Sequence, residues 1–220
     1  LTANTADQSK SLHGWFHQAR VERTMQALEK NGFSALFEAD GKSAAKRMLA
    51  EIPAGATVGI GGSITLDQIG FLRELNKRDV RVVNPKEPGK EKQHFELSRQ
   101  LFACDFFISG TNAVTEEGHL YNVDATGNRV GPMFFGPAKT IIACGVNKIV
   151  KDMAEARSRV WNIAAPMNAR RKGKKTPCAE TGFCSDCNAP DRICNIAVEL
   201  VRKPRKSDIL IVFIGEVFGL

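Results

Sequence analysis

Long apolar runs are missing from this chain of 220 residues. The longest, Ile209-Leu210-Ile211-Val212-Phe213-Ile214, has the length of a buried strand and falls far short of the roughly 20 residues that span a bilayer. The opening stretch LTANTADQSK lacks the apolar core of a signal peptide, so no membrane span and a cytoplasmic location are expected. Aromatic residues make up only 7%, and near the densest basic run only Trp161 and Phe183 occur, which is too few for a base-stacking surface. Histidine is scarce as well. His13, His17, His94 and His119 share no ligand spacing, and each reads as structural or exposed. No G-K-[ST] follows a glycine-rich turn, so nucleotide hydrolysis finds no support.

What is present suits a single domain over residues 1–220. Hydrophobic residues make up 43% of the chain, ample for a core. Apolar strand-like runs at Phe33–Phe37, Thr57–Ile60, Val80–Val83, 105–109, 139–144 and 209–214 alternate with helical patterns at His13–Lys30, Lys42–Glu51, Thr65–Asn76, 91–103 and 152–164. Strands that are apolar throughout and separated by helices predict an α/β fold with a mainly parallel sheet covered on both faces. The glycine- and asparagine-rich stretch from about 110 to 138 reads as a hairpin-rich excursion at the carboxyl ends of strands, where open α/β sheets place ligands. Residues 166–206 read as a mostly irregular, cysteine-rich insertion before the final strand.

Six cysteines are present, and four crowd into that insertion: Cys178, Cys184, Cys187 and Cys194, spaced C-x5-C-x2-C-x6-C. Four thiolates on one loop suit a single soft metal centre, either an iron-sulfur cluster or a zinc ion. The spacing departs from the common ferredoxin run. Cys104 and Cys144 lie in apolar runs and read as small core residues. The net charge of +7 permits an anionic partner. The basic run Arg170-Arg171-Lys172-Gly173-Lys174-Lys175 is compatible with a solvated linker, with cations offsetting a thiolate-bound cluster or docking a partner, and with nucleic acid.

Two constellations are candidates for anion binding. In Val58-Gly59-Ile60-Gly61-Gly62-Ser63-Ile64-Thr65 a strand runs through glycines into a helix start, leaving backbone N–H groups for phosphate or carboxylate. The alternative is a tight turn that needs glycine for its dihedrals. In 110–129, Thr111, Asn112, Asn128 and Arg129 are polar candidates, with the Arg129 fork suited to a carboxylate or phosphate. Glu116, Glu117 and Asp124 are candidate bases or nucleophiles. Turn chemistry alone would also explain Glu117-Gly118 and the 124–128 turn.

These segments together resemble the LUD domain family of lactate-utilisation proteins. The likeness rests on GGSITLDQIG at 61–70, GTNAVTEEGHLYNVDATGNRVGPMFFGP at 110–137, CGVNKIVKDMAEARSRVWNIAAPMNA at 144–169 and the TPC…GFCSDC…DRIC loop. The resemblance implies a three-layer α/β sandwich of the NagB/RpiA/CoA transferase-like kind, as a stand-alone LUD domain with a C-terminal cysteine loop. It also implies a link to lactate oxidation through iron-sulfur proteins, and it marks Asn147 and Lys148 as pocket residues. For Glu117, a nucleophile's role by analogy with CoA transferases is a fold-level comparison only. The expected function is thus a redox-associated protein with a 4Fe-4S cluster on the four cysteines, a redox partner protein, and a small carboxylate or phosphate-bearing ligand held at Gly61, Gly62, Ser63, Thr65, Thr111, Asn112, Asn128, Arg129, Asn147 and Lys148. Catalytic candidates are Glu117, Asp124, Arg129 and Lys148. Two alternatives stay open: a transferase or isomerase of an anionic metabolite with a structural zinc site, and a basic nucleic-acid or regulatory binding module.

Overall fold

The computed structural model describes the backbone of residues 2–220 and the side chains of 12–220. The side chains of LTANTADQSK, on which the expectation about a signal peptide rests, lie outside the described residues. In chain order the elements are α1 (Thr2–Lys30), β1 (Ser34–Glu38), α2 (Gly41–Ala50), β2 (Thr57–Ile60), α3 (Ile64–Gln68), α4 (Phe71–Leu75), β3 (Arg81–Val83), α5 (His94–Gln100), β4 (Phe106–Gly110), β5 (Ala113–Thr115), β6 (Leu120–Asp124), α6 (Val130–Phe134), β7 (Lys139–Gly145), β8 (Ile149–Val150), α7 (Met153–Arg159), α8 (Ala165–Arg171), α9 (Pro177–Thr181), β9 (Ile196–Leu200) and β10 (Asp208–Ile214).

Six strands form a parallel sheet in the order β1-β10-β7-β4-β2-β3. Successive side chains of a strand point to opposite faces, and here both faces are buried, which is why the runs are apolar throughout. Ile108, Ile141, Ala143, Leu210, Val212 and Ile214 meet Met48, Leu66, Phe71 and Leu75 of α2, α3 and α4. Phe107, Ile142, Cys144, Ile211 and Phe213 meet Val21 and Leu28 of α1, Val130 and Met133 of α6, and the inner face of a second sheet. The molecule is therefore an α/β layered sandwich, as its sequence pattern predicts. Cys104 and Cys144 are buried in its core.

The second sheet, ordered β8-β5-β6-β9, holds the hairpin of β5 and β6 beside the carboxyl end of β4. Its outer face packs on Ala156 of α7 and on Val160 just beyond it. Among the described residues no helix is long and apolar enough to cross a membrane.

Three expectations change. The helix expected over Thr65–Asn76 breaks into α3 and α4 at Gly70, whose φ of 70° no helix interior accepts. The helix expected to end at 164 passes through a π-helical segment, Val160–Ala164, into α8, so the basic run begins on a helix. The 166–206 stretch is less irregular than its Pro and Cys content predicts, because it carries α8, α9 and β9. The last of these is held as an edge strand by pairing with β6.

Candidate functional site

β2, β4 and β6 end around one cavity of about 320 Å³. Gly61, Gly62 and Ser63 from the turn after β2, Thr65 from the start of α3, Thr111 and Asn112 after β4, and Asp124, Asn128, Arg129 and Lys148 all line it. Asn147 and Glu117 do not. Asn147 accepts the Phe218 N–H at 3.2 Å through its side chain, a structural tie beneath the cavity. Glu117 stands exposed at the β5–β6 turn, where its carbonyl accepts from Asn31. Glu116 is held by Arg20 at 2.8 Å and Arg23 at 3.0 Å.

The glycines serve close approach more than dihedral freedom, since neither Gly61 nor Gly62 has a positive φ. A Cβ on Gly61 would stand 2.6 Å from Phe107 Cζ and 2.8 Å from Ser109 Oγ. One on Gly62 would stand 1.8 Å from the Lys86 ammonium nitrogen. The Ser63 hydroxyl accepts from the Leu66 N–H at 3.5 Å and caps α3, whose five residues give it little dipole.

Arg129 departs from its expected role. Its Nη1 donates to Gly110 O at 3.3 Å and Asn122 Oδ1 at 2.8 Å, and its Nη2 to Asn112 Oδ1 at 3.0 Å and Val123 O at 2.8 Å. The fork is spent on the protein, so Arg129 pins the hairpin to the end of β4 and contributes charge to the cavity, not a bidentate grip on a ligand. Asp124 is likewise occupied, its carboxylate accepting the N–H groups of Ala125, Arg129 and Val130 at the start of α6. Arg159, 9% exposed, adds bonds to Asn112 O at 2.8 Å and Asn147 O at 3.2 Å.

Lys148 is the candidate left available. It is 4% exposed, and its ammonium donates to Thr65 Oγ1 at 2.9 Å. Burial brings its pKa down to about 8; the Cys144 thiol works against that shift, while Arg159 and Arg129 add to it. Sequence reading missed its counterpart across the turn, Lys86, because nothing in the loop after β3 marks that residue. Its side chain reaches solvent at the cavity mouth yet is surrounded by protein, and its pKa is also brought down to about 8, by desolvation first and then by Lys172, Arg171 and Arg129. His94, exposed as expected, also lines the cavity, as do Asn168, Arg171, Lys172 and Lys174. Arg171, Lys172 and Lys174 of the basic run thus form cavity wall, a role beyond the readings its sequence suggested.

The pH dependence follows from the two lysines. Folding lowers both from 10.5 to about 8, so between these values the unfolded chain holds more protons and the ligand-free protein gains stability as pH rises. Anion affinity moves the other way. Sulfate, whose charge is constant, should bind best below pH 8 and weaken as the ammonium groups deprotonate; calorimetric titrations from pH 7 to 10 check this, and a flat profile contradicts it.

The cysteine quartet is not gathered as a closed ligand set. Among the described residues no group of three or more His, Cys, Asp or Glu is arranged to hold a metal ion. All four are free thiols of intermediate exposure. Burial raises the pKa of Cys194, with Cys184 and Cys187 near enough to add to the rise and Arg192 opposing it. Cys178 lies on α9, its sulfur 3.3 Å from Thr176 Oγ1. In donor type the four thiols suit a thiophilic centre. Arg192 braces the loop through the carbonyls of Cys187 and Cys194 and the Asp186 carboxylate at 2.8 Å. Pro190, Asp191, Arg192 and Ile193, between the last two cysteines, line the cavity. Sequence separation had hidden that adjacency.

The family model described as the LUD domain matches residues 21–214. Among solved structures, a DUF162 family protein from Deinococcus radiodurans has a TM-score of 0.52 at 14% identity, covering 89% of this chain and 98% of that one. Ribose 5-phosphate isomerase A from Neisseria gonorrhoeae has a TM-score of 0.37 at 14% identity over 55% of this chain and 62% of its own. The delta subunit of eIF2B from Chaetomium thermophilum has a TM-score of 0.37 at 17% identity over 54% of this chain and 50% of its own. No curated protein matches the sequence.

Proposed function

The chain belongs to the LUD domain family, and on that premise we propose that it is a redox-associated lactate-utilisation protein of the cytoplasm, binding a small carboxylate or phosphate-bearing metabolite in the basic cavity and a 4Fe-4S cluster on Cys178, Cys184, Cys187 and Cys194. The observation that supports this reading most directly is that Pro190–Ile193 belong at once to the cysteine loop and to the cavity wall. Such a cluster supplies one-electron transfer when bound. The chain's own residues do the rest. Lys148 and Thr65 offer donors at the cavity floor, and Arg129 holds the hairpin and floor in register. Arg192, paired first with Asp186, also stands beside Cys194, where it would offset part of the charge of a ligated sulfur. A redox partner protein would complete the electron path.

Anaerobic reconstitution with iron and sulfide, followed by metal and sulfide analysis and electron paramagnetic resonance of the reduced protein, tests the cluster. About four irons per chain are expected, with Cys187→Ser losing most of them. Zinc bound in place of iron under these conditions, or no metal at all, overturns the redox reading.

A further inference from the structure

We propose that the cavity takes an organic acid that also bears a phosphate, the phosphate held at the mouth by Lys86, Arg171 and Lys172 and the second acidic group at the floor by Lys148 and Thr65. This deepens the small-anion reading above and rests on it. The first support is the charge left over. Two cavity cations are answered locally, Lys174 by Asp191 at 3.5 Å and Arg192 by Asp186 at 2.8 Å, and the Arg129 fork is spent on protein acceptors. Among the described residues no carboxylate lies within salt-bridge distance of Lys86, Lys148, Arg171 or Lys172, and all four line the cavity. A monocarboxylate such as lactate would answer one of them.

The second support is placement. Lys148 is buried while Lys86, Arg171 and Lys172 are exposed at the opening, so the unanswered charge falls into one cation at the floor and three at the mouth. Those three crowd together: Arg171 and Lys172 both depress Lys86, and Arg171 depresses Lys172. Like charges converging with no carboxylate in salt-bridge contact, and only the backbone-bound Asp124 farther off to oppose them, match a dianionic phosphate, whereas a single ammonium beside a hydroxyl matches a carboxylate. Lys86 and Lys148 also approach the same short turn, the first against Gly62 and the second bonded to Thr65, so one ligand lying along that turn reaches both. A volume of about 320 Å³ sits at the small end of ligand pockets and suits a short chain.

Calorimetry on the full chain at pH 7 and constant ionic strength, with L-lactate, inorganic phosphate and phosphoglycolate as probes, tests the proposal. Phosphoglycolate should bind on the order of 10- to 100-fold tighter than either single-group probe, the gain of one further charge-assisted contact. Lys86→Gln and Lys172→Gln should each weaken phosphoglycolate about tenfold and leave lactate nearly unchanged, and Lys148→Met should bring phosphoglycolate down to the level of phosphate. Gly62→Ala keeps every charge but displaces the Lys86 ammonium, and should match Lys86→Gln. Since Lys148→Met alters a buried site, the exposed Lys172 variant keeps the test decisive if that protein fails to fold. Equal affinity for lactate and phosphoglycolate, or tight phosphoglycolate binding indifferent to Lys86→Gln and Lys172→Gln, overturns the two-group ligand and leaves the small-anion cavity standing. Absence of binding by all three probes removes both.

Discussion

Replacing Arg129 by leucine should cost about 2–4 kcal/mol of folding stability, because the change strips one donor fork from four acceptors at the junction of two sheets. The acceptors are Gly110 O, Asn122 Oδ1, Asn112 Oδ1 and Val123 O. Three keep a second donor: the Ser109 hydroxyl on Gly110 O, the Asn112 N–H on Asn122 Oδ1, and the Val123 N–H on Asn112 Oδ1. That retention, together with relief of a desolvated guanidinium, holds the loss below the sum of four broken bonds. Lysine should rescue little, since one ammonium cannot span both sides of the fork. Denaturant titration of wild type, Arg129→Leu and Arg129→Lys measures all three. A loss under about 1 kcal/mol for leucine would mean the network is not held by this residue.

Gly118→Ala should be at least as damaging, about 3–5 kcal/mol, and here the cause is backbone against backbone. Gly118 has φ of 81°, and its missing Cβ would stand 2.5 Å from the carbonyl carbon of Ala27, 2.6 Å from its oxygen and 2.7 Å from the Leu28 nitrogen. No rotamer change relieves that contact; either α1 lifts from the hairpin or the turn opens. The Asn31 amide, which bonds Glu117 O and Gly118 O, and the Arg20 and Arg23 pairs with Glu116 would be disturbed together. Glu117→Ala, one residue away and exposed, serves as the control and should stay within about 0.5 kcal/mol of wild type. Thermal and denaturant melts compare the two variants, and equal melting would remove the assigned role of the α1 contact.

The same glycine shows how far the sequence could be read. Turn chemistry explains why glycine stands after Glu117, and the positive φ agrees with it. The α1 backbone lying against it has no signature, because Ala27 and Leu28 are 91 and 90 residues away along the chain. Arg129 repeats the point. A basic residue in a polar loop invites a ligand-binding role, yet Asn112, Asn122 and two carbonyls occupy its donors once the hairpin folds over β4. Lys86 is the converse case: an unremarked lysine in a loop becomes part of the cavity because the turn after β2 carries no side chain at Gly62 to hold it off.

By itself, the sequence determined the layered α/β architecture, the positions of the sheet strands, the burial of Cys104 and Cys144, and the gathering of four cysteines in one segment. Each follows from local pattern, since a strand buried on both faces must be apolar throughout and a helix must repeat its apolar stripe. Tertiary structure alone decided which charges face one another. It turned Arg171, Lys172 and Lys174 into cavity wall, spent the Arg129 fork, left Lys148 and Lys86 without salt-bridge partners among the described residues, and set Pro190–Ile193 between the cysteines and the anion cavity. Electrostatic pairing depends on distances of a few ångströms between residues far apart in the chain, and only the folded sheet fixes those distances.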